Sequence, residues 1–168
     1  MVELLNRHPH FKFAELDYRA VPTLVPNDPF MGNARHLHKI AATATWDTTL
    51  GAGVTIAILD SGVDAAHPDL SNRLVPGWNF YDNNLNTSDV CGHGTLVAGS
   101  AAGSVNNGVG VASVSGETKI IPSRVTDSSG GGWTSMNANG LIFAADRGVP
   151  VSSTDQNDAK ASWSSFGG

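Results

Sequence analysis

Val54-Thr-Ile-Ala-Ile-Leu-Asp-Ser-Gly62 is the most informative stretch of this 168-residue chain. Its first six residues are apolar or β-branched, which is typical of a strand buried on both faces of a parallel sheet. Serine and glycine then indicate a loop, so the run ends at Asp60. Functional side chains of open α/β sheets gather at such strand ends. Asp60 is therefore a candidate functional residue, although an aspartate in this place is often only a turn cap.

Beyond this stretch, apolar strand-like runs alternate with helical patterns. Strands are predicted over 54–59, 74–80 and 119–126, and helices over 95–102 and 133–147. The second helix should place Met136, Gly140, Phe143 and Ala144 on one face and end near Gly148. Residues 26–53 form a turn-rich arm. This alternation predicts an α/β fold with a mainly parallel sheet and flanking helices.

A histidine enclosed by glycines, Gly92-His93-Gly94-Thr95, begins the first predicted helix. The glycines would leave room for a substrate backbone to approach. An aspartate at a strand end can hold a histidine in one tautomer while that histidine acts as a general base. A lone histidine beside glycine is more often structural than catalytic. The two motifs in this order, however, predict that Asp60 and His93 work as a pair.

Composition excludes several classes of function. The formal net charge is −5 and no run of lysine or arginine occurs, so a nucleic acid partner is not expected. No apolar stretch reaches the roughly 20 residues of a membrane span. Residues 1–10 lack the apolar core of a signal peptide. The single cysteine, Cys91, excludes an internal disulfide.

Three motifs resemble the subtilisin-like serine protease family, and most closely its thermitase branch. They are Asp60-Ser-Gly-Val-Asp64, His67-Pro-Asp-Leu70 and His93-Gly-Thr-Leu-Val-Ala-Gly99. The order Asp before His is the order of that family. The resemblance implies a serine endopeptidase that cleaves polypeptides, with Asp60 as triad aspartate and His93 as general base. It also implies secretion of the full-length protein.

The same resemblance divides the chain into two parts. Residues 1–25 are similar to the tail of the family's inhibitory propeptide, and residues 26–168 to part of the catalytic domain. The segment Ser129-Gly130-Gly131-Gly132 resembles the edge that pairs with an extended substrate. Taken without the family, that segment is equally well a flexible turn.

Several parts of the family pattern are missing. No serine stands in a Gly-Thr-Ser-Met-Ala motif, so no nucleophile is identified, and the oxyanion-hole asparagine is absent as well. Thr134-Ser135-Met136 only superficially resembles the nucleophile motif, because it belongs to an earlier helix. A deletion is expected near residues 151–152, which join segments that are distant in the family. Leu96 replaces a histidine, and Pro122 stands where a central strand should be apolar. We therefore expect this chain alone to be inactive.

A structural calcium ion is implied by the resemblance. Its ligands would be the side chains of Asp28, Asp69 and Asn107, with backbone carbonyls from Ser104, Val109 and Val111. Oxygen ligands of this kind suit Ca²⁺. The alternative is that these are ordinary turn residues. A second family site would map to Asn79, Asp82 and Asn84, where two carboxylates have become amides, so we discount it.

Other interpretations remain open. The chain could be a catalytically silent remnant that binds only calcium or peptide. Two His-x-His pairs, His8 with His10 and His36 with His38, could chelate zinc, but solvated surface is the better interpretation. Cys91 could have a reactive thiol near His93, but a small buried residue is the simpler expectation. An incomplete sheet would leave the chain either monomeric or prone to aggregation.

Overall fold

The computed structural model describes residues 2–10, 12–14, 16 and 24–149. Nine elements lie in this part of the chain. In chain order they are α1 (Val2–Asn6), a 3-10 helix (Met31–Asn33), α2 (Arg35–Lys39), α3 (Ala42–Trp46), β1 (Thr55–Asp60), β2 (Trp78–Asn79), α4 (His93–Ala102), β3 (Lys119–Arg124) and α5 (Thr134–Ala145). The expected deletion near 151–152 falls outside the described residues.

The three strands form one parallel sheet in the order β1-β3-β2, with β3 in the centre. Because side chains alternate along a strand, the two faces of β1 carry different residues. Ile56 and Ile58 pack with Ala98 of α4. Ala57 packs in a separate cluster with Ala144 of α5. The two helices therefore cover opposite faces, which confirms the predicted α/β fold.

The central strand continues through Pro122, although a proline was expected to interrupt it. On the β2 side of the sheet, the carbonyl of Ile120 accepts from the Val75 N–H and the carbonyl of Arg124 accepts from the Phe80 N–H. The backbone groups of Pro122 face the same side, because they alternate along a strand. The N–H that proline lacks is therefore lost only from the pairing with the β2 segment. There the neighbouring chain is not in a regular strand, and Gly77 approaches so closely that a Cβ would lie 1.8 Å from the Pro122 carbonyl oxygen. The predicted strand 74–80 is accordingly reduced to an isolated bridge at Leu74 and the two residues of β2.

The arm from residue 26 to 53 is more regular than its sequence indicates. Instead of turns alone it holds the 3-10 helix, α2 and α3. Leu37 and Trp46 are buried there in a small core of their own. The indole Nε1 of Trp46 donates to the Val114 carbonyl at 3.0 Å, which ties the arm to the loop before β3.

Candidate active site

His93 and Asp60 are in direct contact at the carboxyl end of β1. The Nδ1 atom of His93 lies 2.9 Å from Oδ1 and 2.8 Å from Oδ2 of Asp60. An ionised carboxylate only accepts hydrogen bonds, so Nδ1 carries a proton and Nε2 of the neutral ring is left as an acceptor. The His93 side chain is 67% exposed and that of Asp60 17%. The structure thus brings together the two residues that the sequence pairs.

Glycines at this site allow a helix to approach a strand. Gly92 precedes α4 with a φ of 90°, in the left-handed region. A Cβ on Gly94 would lie 2.1 Å from the Gly62 carbonyl oxygen and 3.1 Å from Cβ of Asp60. Gly94 is therefore required by the packing of α4 against the loop after β1. This is a different reason from the room for substrate that the sequence suggested.

Asp89 anchors the first turn of α4, a role that sequence reasoning missed. One carboxylate oxygen accepts from the Ser61 hydroxyl and from the backbone N–H groups of Cys91 and Gly92, at 2.7 to 3.0 Å. The other accepts from the backbone N–H of Thr95 at 2.8 Å and from its hydroxyl. Gly92, the residue before the helix, has no side chain, so Asp89 supplies the cap in its place.

The charge of Asp89 is strongly favoured in this setting. Burial by itself would raise the pKa of the Asp89 carboxyl, but hydrogen bonds from Thr95, Ser61 and the backbone at Cys91 and Gly92 lower it well below its usual range. A fixed negative charge at a helix N-terminus is also stabilising. The only signal in the sequence is an aspartate four residues before the glycine-flanked histidine.

A cavity of about 380 Å³ opens beside the Asp60–His93 pair. Its walls include Cys91, Thr126 and Gly130 together with the pair itself. The Gly-rich segment thus lies at the same cavity as His93. Cys91 is exposed, so the expectation of a small buried residue is wrong.

The Gly-rich segment is a turn held by Asp127, followed by an open stretch. Oδ1 of Asp127 accepts from the Ser129 backbone at 2.8 Å, the Ser129 hydroxyl at 2.6 Å and the Gly131 backbone at 3.0 Å. Gly130 has a φ of 82°. All four residues of the segment, Ser129 to Gly132, are exposed. Asp127 was not singled out in the sequence, although an aspartate two residues before serine is typical of such turns.

No described serine hydroxyl is hydrogen bonded to His93 in the part of the chain that the structure covers. Thr134 and Ser135 form the exposed first turn of α5. The superficial nucleophile motif at 134–136 is therefore an ordinary helix start. Ser162, Ser164 and Ser165, which the resemblance places just before the nucleophile region, lie outside the described residues.

The residues implied as calcium ligands lie in three segments that come together, because the loop at 104–111 contacts both Asp28 and Asp69. Asp28 and Asp69 are each only 4% exposed, and Oδ1 of Asp28 is buried without a hydrogen-bond partner. A Cβ on Gly110 would lie 2.1 Å from Oδ2 of Asp69, so that carboxylate sits in a space that only glycine leaves open. An unpartnered carboxylate oxygen in such a place fits a cation. The amide of Asn107, however, donates its Nδ2 to Asp69 Oδ1 at 2.7 Å instead of presenting its oxygen.

The second implied metal set is held by protein groups. Asn79 is fully buried, and its Nδ2 donates to Asp82 Oδ2 at 3.1 Å. The same oxygen is 2.9 Å from Nη1 of Arg124. The guanidinium therefore supplies the positive charge beside Asp82. Among the described residues, no group of three or more His, Cys, Asp or Glu side chains is arranged to hold a metal ion.

Among the described residues, neither His-x-His pair has a third candidate zinc ligand beside it. His36 and His38 both lie on the short helix α2, and the rings of His8 and His10 are 5.4 Å apart near the N-terminus. Within the described part of the chain, no helix is both long and apolar enough to span a bilayer.

Taken together, a three-stranded parallel sheet between two helices and a carboxylate-held histidine at its edge define an α/β protein with an Asp–His pair. Comparison with known proteins agrees. The model of the Subtilase family matches residues 51–167. The chain therefore belongs to the subtilase family of serine peptidases.

Individual relatives support this assignment. Thermitase of Thermoactinomyces vulgaris is 44% identical over 128 residues, which cover 75% of this chain and 46% of that protein. Thermophilic serine proteinase of a Bacillus strain is 37% identical over 153 residues, or 90% of this chain and 38% of that protein. A solved structure of proteases from Pseudoalteromonas arctica matches with a TM-score of 0.67 and 31% identity over 81% of this chain and 49% of that chain. The chain thus spans less than half the length of these relatives.

Proposed function

We propose that this chain supplies the Asp–His part of a serine endopeptidase active site. The contact between His93 Nδ1 and both carboxylate oxygens of Asp60 carries the proposal. Asp60 holds the ring in one tautomer and stabilises the imidazolium that forms when Nε2 takes a proton. The exposed ring gives Nε2 access to a hydroxyl delivered from elsewhere. The substrate class is unstructured polypeptide, which would pair through its main chain with the segment at 129–132.

The nucleophile is the part that the described residues do not supply. An acyl transfer requires a hydroxyl or thiol near Nε2 to attack the scissile carbonyl. Without it, His93 has only water to activate. Loss of the triad serine in the well-studied subtilisin case costs about 2 × 10⁶ in kcat. We therefore infer that the chain alone does not hydrolyse peptides at a useful rate.

A chimera tests whether the Asp–His half is competent. Residues 26–147 would replace the matching part of Thermitase, whose own remaining half would be retained. The chimera should cleave an unstructured peptide. Asp60→Asn should lower kcat by about 10⁴ and His93→Ala by about 10⁶. A folded chimera in which His93→Ala leaves the rate unchanged would show that the pair has another role.

We further propose a structural Ca²⁺ ion held by Asp28 and Asp69, with Asn107 and the carbonyls of Ser104, Val109 and Val111. The buried, unpartnered Oδ1 of Asp28 supports it. The ion would neutralise two buried carboxylates and join the arm at residue 28 to the loop at 104–111. Binding requires Asn107 to turn its amide oxygen toward the ion. None of these residues lines the cavity beside His93, so the ion would act on stability and not on the reaction.

Two assignments concern the whole protein. We infer that residues 1–25 derive from an inhibitory propeptide. In support, the Leu24 backbone N–H donates to Asp47 Oδ1 at 2.9 Å, so this lead continues directly into contact with the domain. We also infer that the full-length protein is secreted, by analogy with a matched relative named extracellular basic protease, from Dichelobacter nodosus.

A further inference from the structure

A second cavity adjoins the Gly-rich segment. It measures about 260 Å³ and is lined by Tyr81, Asp127, Gly131, Gly132 and Trp133. Sites for whole small molecules are usually about 300–1,000 Å³. This cavity is therefore of a size for one side chain. Since Gly130 lines the cavity beside His93, both cavities border the same short segment.

One residue that lines this cavity, Asp127, carries a negative charge. Hydrogen bonds from the Ser129 hydroxyl and from the backbone N–H groups of Ser129 and Gly131 lower the pKa of the Asp127 carboxyl. All three hydrogen bonds reach Oδ1, so they leave Oδ2 available to a ligand. The carboxylate is thus ionised at neutral pH and fixed in direction.

The nearest cation is already committed to another carboxylate. Arg124 is largely buried, donates from Nη1 to Asp82 at 2.9 Å and from Nε to the Thr126 carbonyl at 3.1 Å. Its positive charge also lowers the pKa of the Asp127 carboxyl, but less than the hydrogen bonds do. In the described part of the chain, no ion pair includes Asp127. Arg124 is therefore close to two carboxylates, Asp82 and Asp127, but forms an ion pair only with Asp82. A positively charged ligand would neutralise Asp127.

The walls of the cavity are aromatic. Trp133 is 70% exposed, whereas Trp46 in the arm is buried. Tyr81 has the Arg124 guanidinium 5.6 Å from its ring centre, so its ring is already used by one cation. Aromatic faces attract Lys and Arg side chains, most strongly those of tryptophan. An exposed indole beside an ionised carboxylate favours a basic side chain over an apolar one, because an apolar group would remove water from Asp127 without replacing it.

We propose that Tyr81, Asp127 and Trp133 form a subsite for a lysine or arginine side chain of a peptide that lies along the Gly-rich segment. This inference rests on the proposed function, which places substrate at 129–132. It adds a preference for basic polypeptides. Asp127 has a double role, since it shapes the segment with Oδ1 and binds the side chain through Oδ2.

The test measures peptide binding and needs no catalysis. The full chain is titrated with alanine-based hexapeptides that carry one arginine at each position in turn, and with counterparts in which citrulline, of the same shape but neutral, replaces it. Tryptophan fluorescence gives Kd, and backbone amide NMR shifts at 130–132 show whether the segment is contacted. At one peptide position arginine should bind about tenfold more tightly than citrulline. This preference should fall as salt is added.

Three variants locate the effect. Asp127→Asn should reduce the preference to below about twofold, because the asparagine oxygen can still accept the three segment hydrogen bonds while the charge is lost. Trp133→Ala should weaken the arginine peptide more than the citrulline peptide. Asp146→Asn, an exposed aspartate at the end of α5, is the matched control and should leave the preference unchanged.

Each result separates this inference from the function on which it rests. Amide shifts at 130–132 with equal affinity for both peptide series would overturn the subsite and leave the substrate segment in place. An arginine preference that survives Asp127→Asn would also overturn the subsite. If neither series shifts the amides at 130–132, the substrate segment itself is wrong, and the subsite falls with it.

Discussion

Replacing Asp89 with asparagine should loosen the turn that carries His93. In the native chain the carboxylate accepts from Ser61, Cys91 and Gly92 on one oxygen and from Thr95 on the other. An asparagine oxygen can keep the first group. The NH₂ group of the asparagine must then face the backbone N–H of Thr95. Because both groups are donors, the Thr95 N–H loses its acceptor.

The magnitude follows from that one misplaced donor and from the lost charge. A part-buried donor left without a partner costs about 1–3 kcal/mol. Removal of a negative charge from a helix N-terminus costs about 0.3–1 kcal/mol more. The free energy of unfolding should therefore fall by about 1.3–4 kcal/mol, a large part of the stability of a small domain.

Urea denaturation followed by circular dichroism measures the difference, with Asp64→Asn as the control. Asp64 accepts a single hydrogen bond through its side chain, from the Ala66 N–H at 2.8 Å, and asparagine can keep it. The control should change stability by less than about 0.5 kcal/mol. In the wild-type chain, the stabilisation from Asp89 is fully present above the ordinary pKa of aspartate, because its folded-state pKa is depressed.

The pH dependence gives a second check on the same reasoning. As pH falls below about 4, the Asp89 carboxylate of the unfolded chain takes up a proton while that of the folded chain stays ionised, so the difference in stability between wild type and Asp89→Asn should narrow. Equal denaturation midpoints for wild type and Asp89→Asn at neutral pH would refute the assignment of Asp89 as the anchor of α4. A gap that stays constant into acid would refute its charge as the cause.

Three further outcomes are expected. If Ca²⁺ binds at Asp28 and Asp69, a hundredfold excess over Kd adds about 2.7 kcal/mol and raises Tm by roughly 5–10 °C compared with chelator; Asp28→Asn should abolish that shift, and identical melts with and without Ca²⁺ would count against the site. Leu96 on α4 is 72% exposed next to an apolar groove, so Leu96→Asp should reduce ANS binding and aggregation, whereas Leu85→Asp, at a residue 75% exposed and away from that groove, should have little effect. Finally, a fluorophosphonate probe should not label the chain and its intact mass should not change on incubation with an unstructured peptide; labelling of any serine would show that the nucleophile has been misplaced.

Leu96 also illustrates why an incomplete sheet was expected to aggregate. It stands on the outward face of α4, beside Val97 and Val114, in a groove that includes His93. The buried face of the same helix is made of Gly94, Ala98 and Ala102. A helix with apolar side chains on both faces normally lies between two layers. The expected tendency to aggregate remains a prediction that the Leu96 experiment tests.

Local patterns in the sequence were enough to predict the strand that ends at Asp60 and the helix that begins near His93. Both signals are short-range, since a β-branched apolar run and a stretch of small residues each favour one conformation. The pairing of Asp60 with His93 also follows from the sequence, because strand ends and the helices after them meet at one edge of a parallel sheet. The residues of the three motifs, together with the order of Asp60 before His93, were enough to identify the family.

Only the tertiary structure decided the roles of Asp89, Asp127 and Pro122. Asp89 and Asp127 stand in polar loops that resemble any solvated turn, and their function depends on which backbone N–H groups the fold directs at them. Pro122 is tolerated because its missing N–H faces a part of the neighbouring chain, at Gly77, that is not in a regular strand, and this depends on a contact between residues about 45 positions apart. Composition and periodicity describe what a segment favours by itself, whereas these three residues are defined by their partners across the fold.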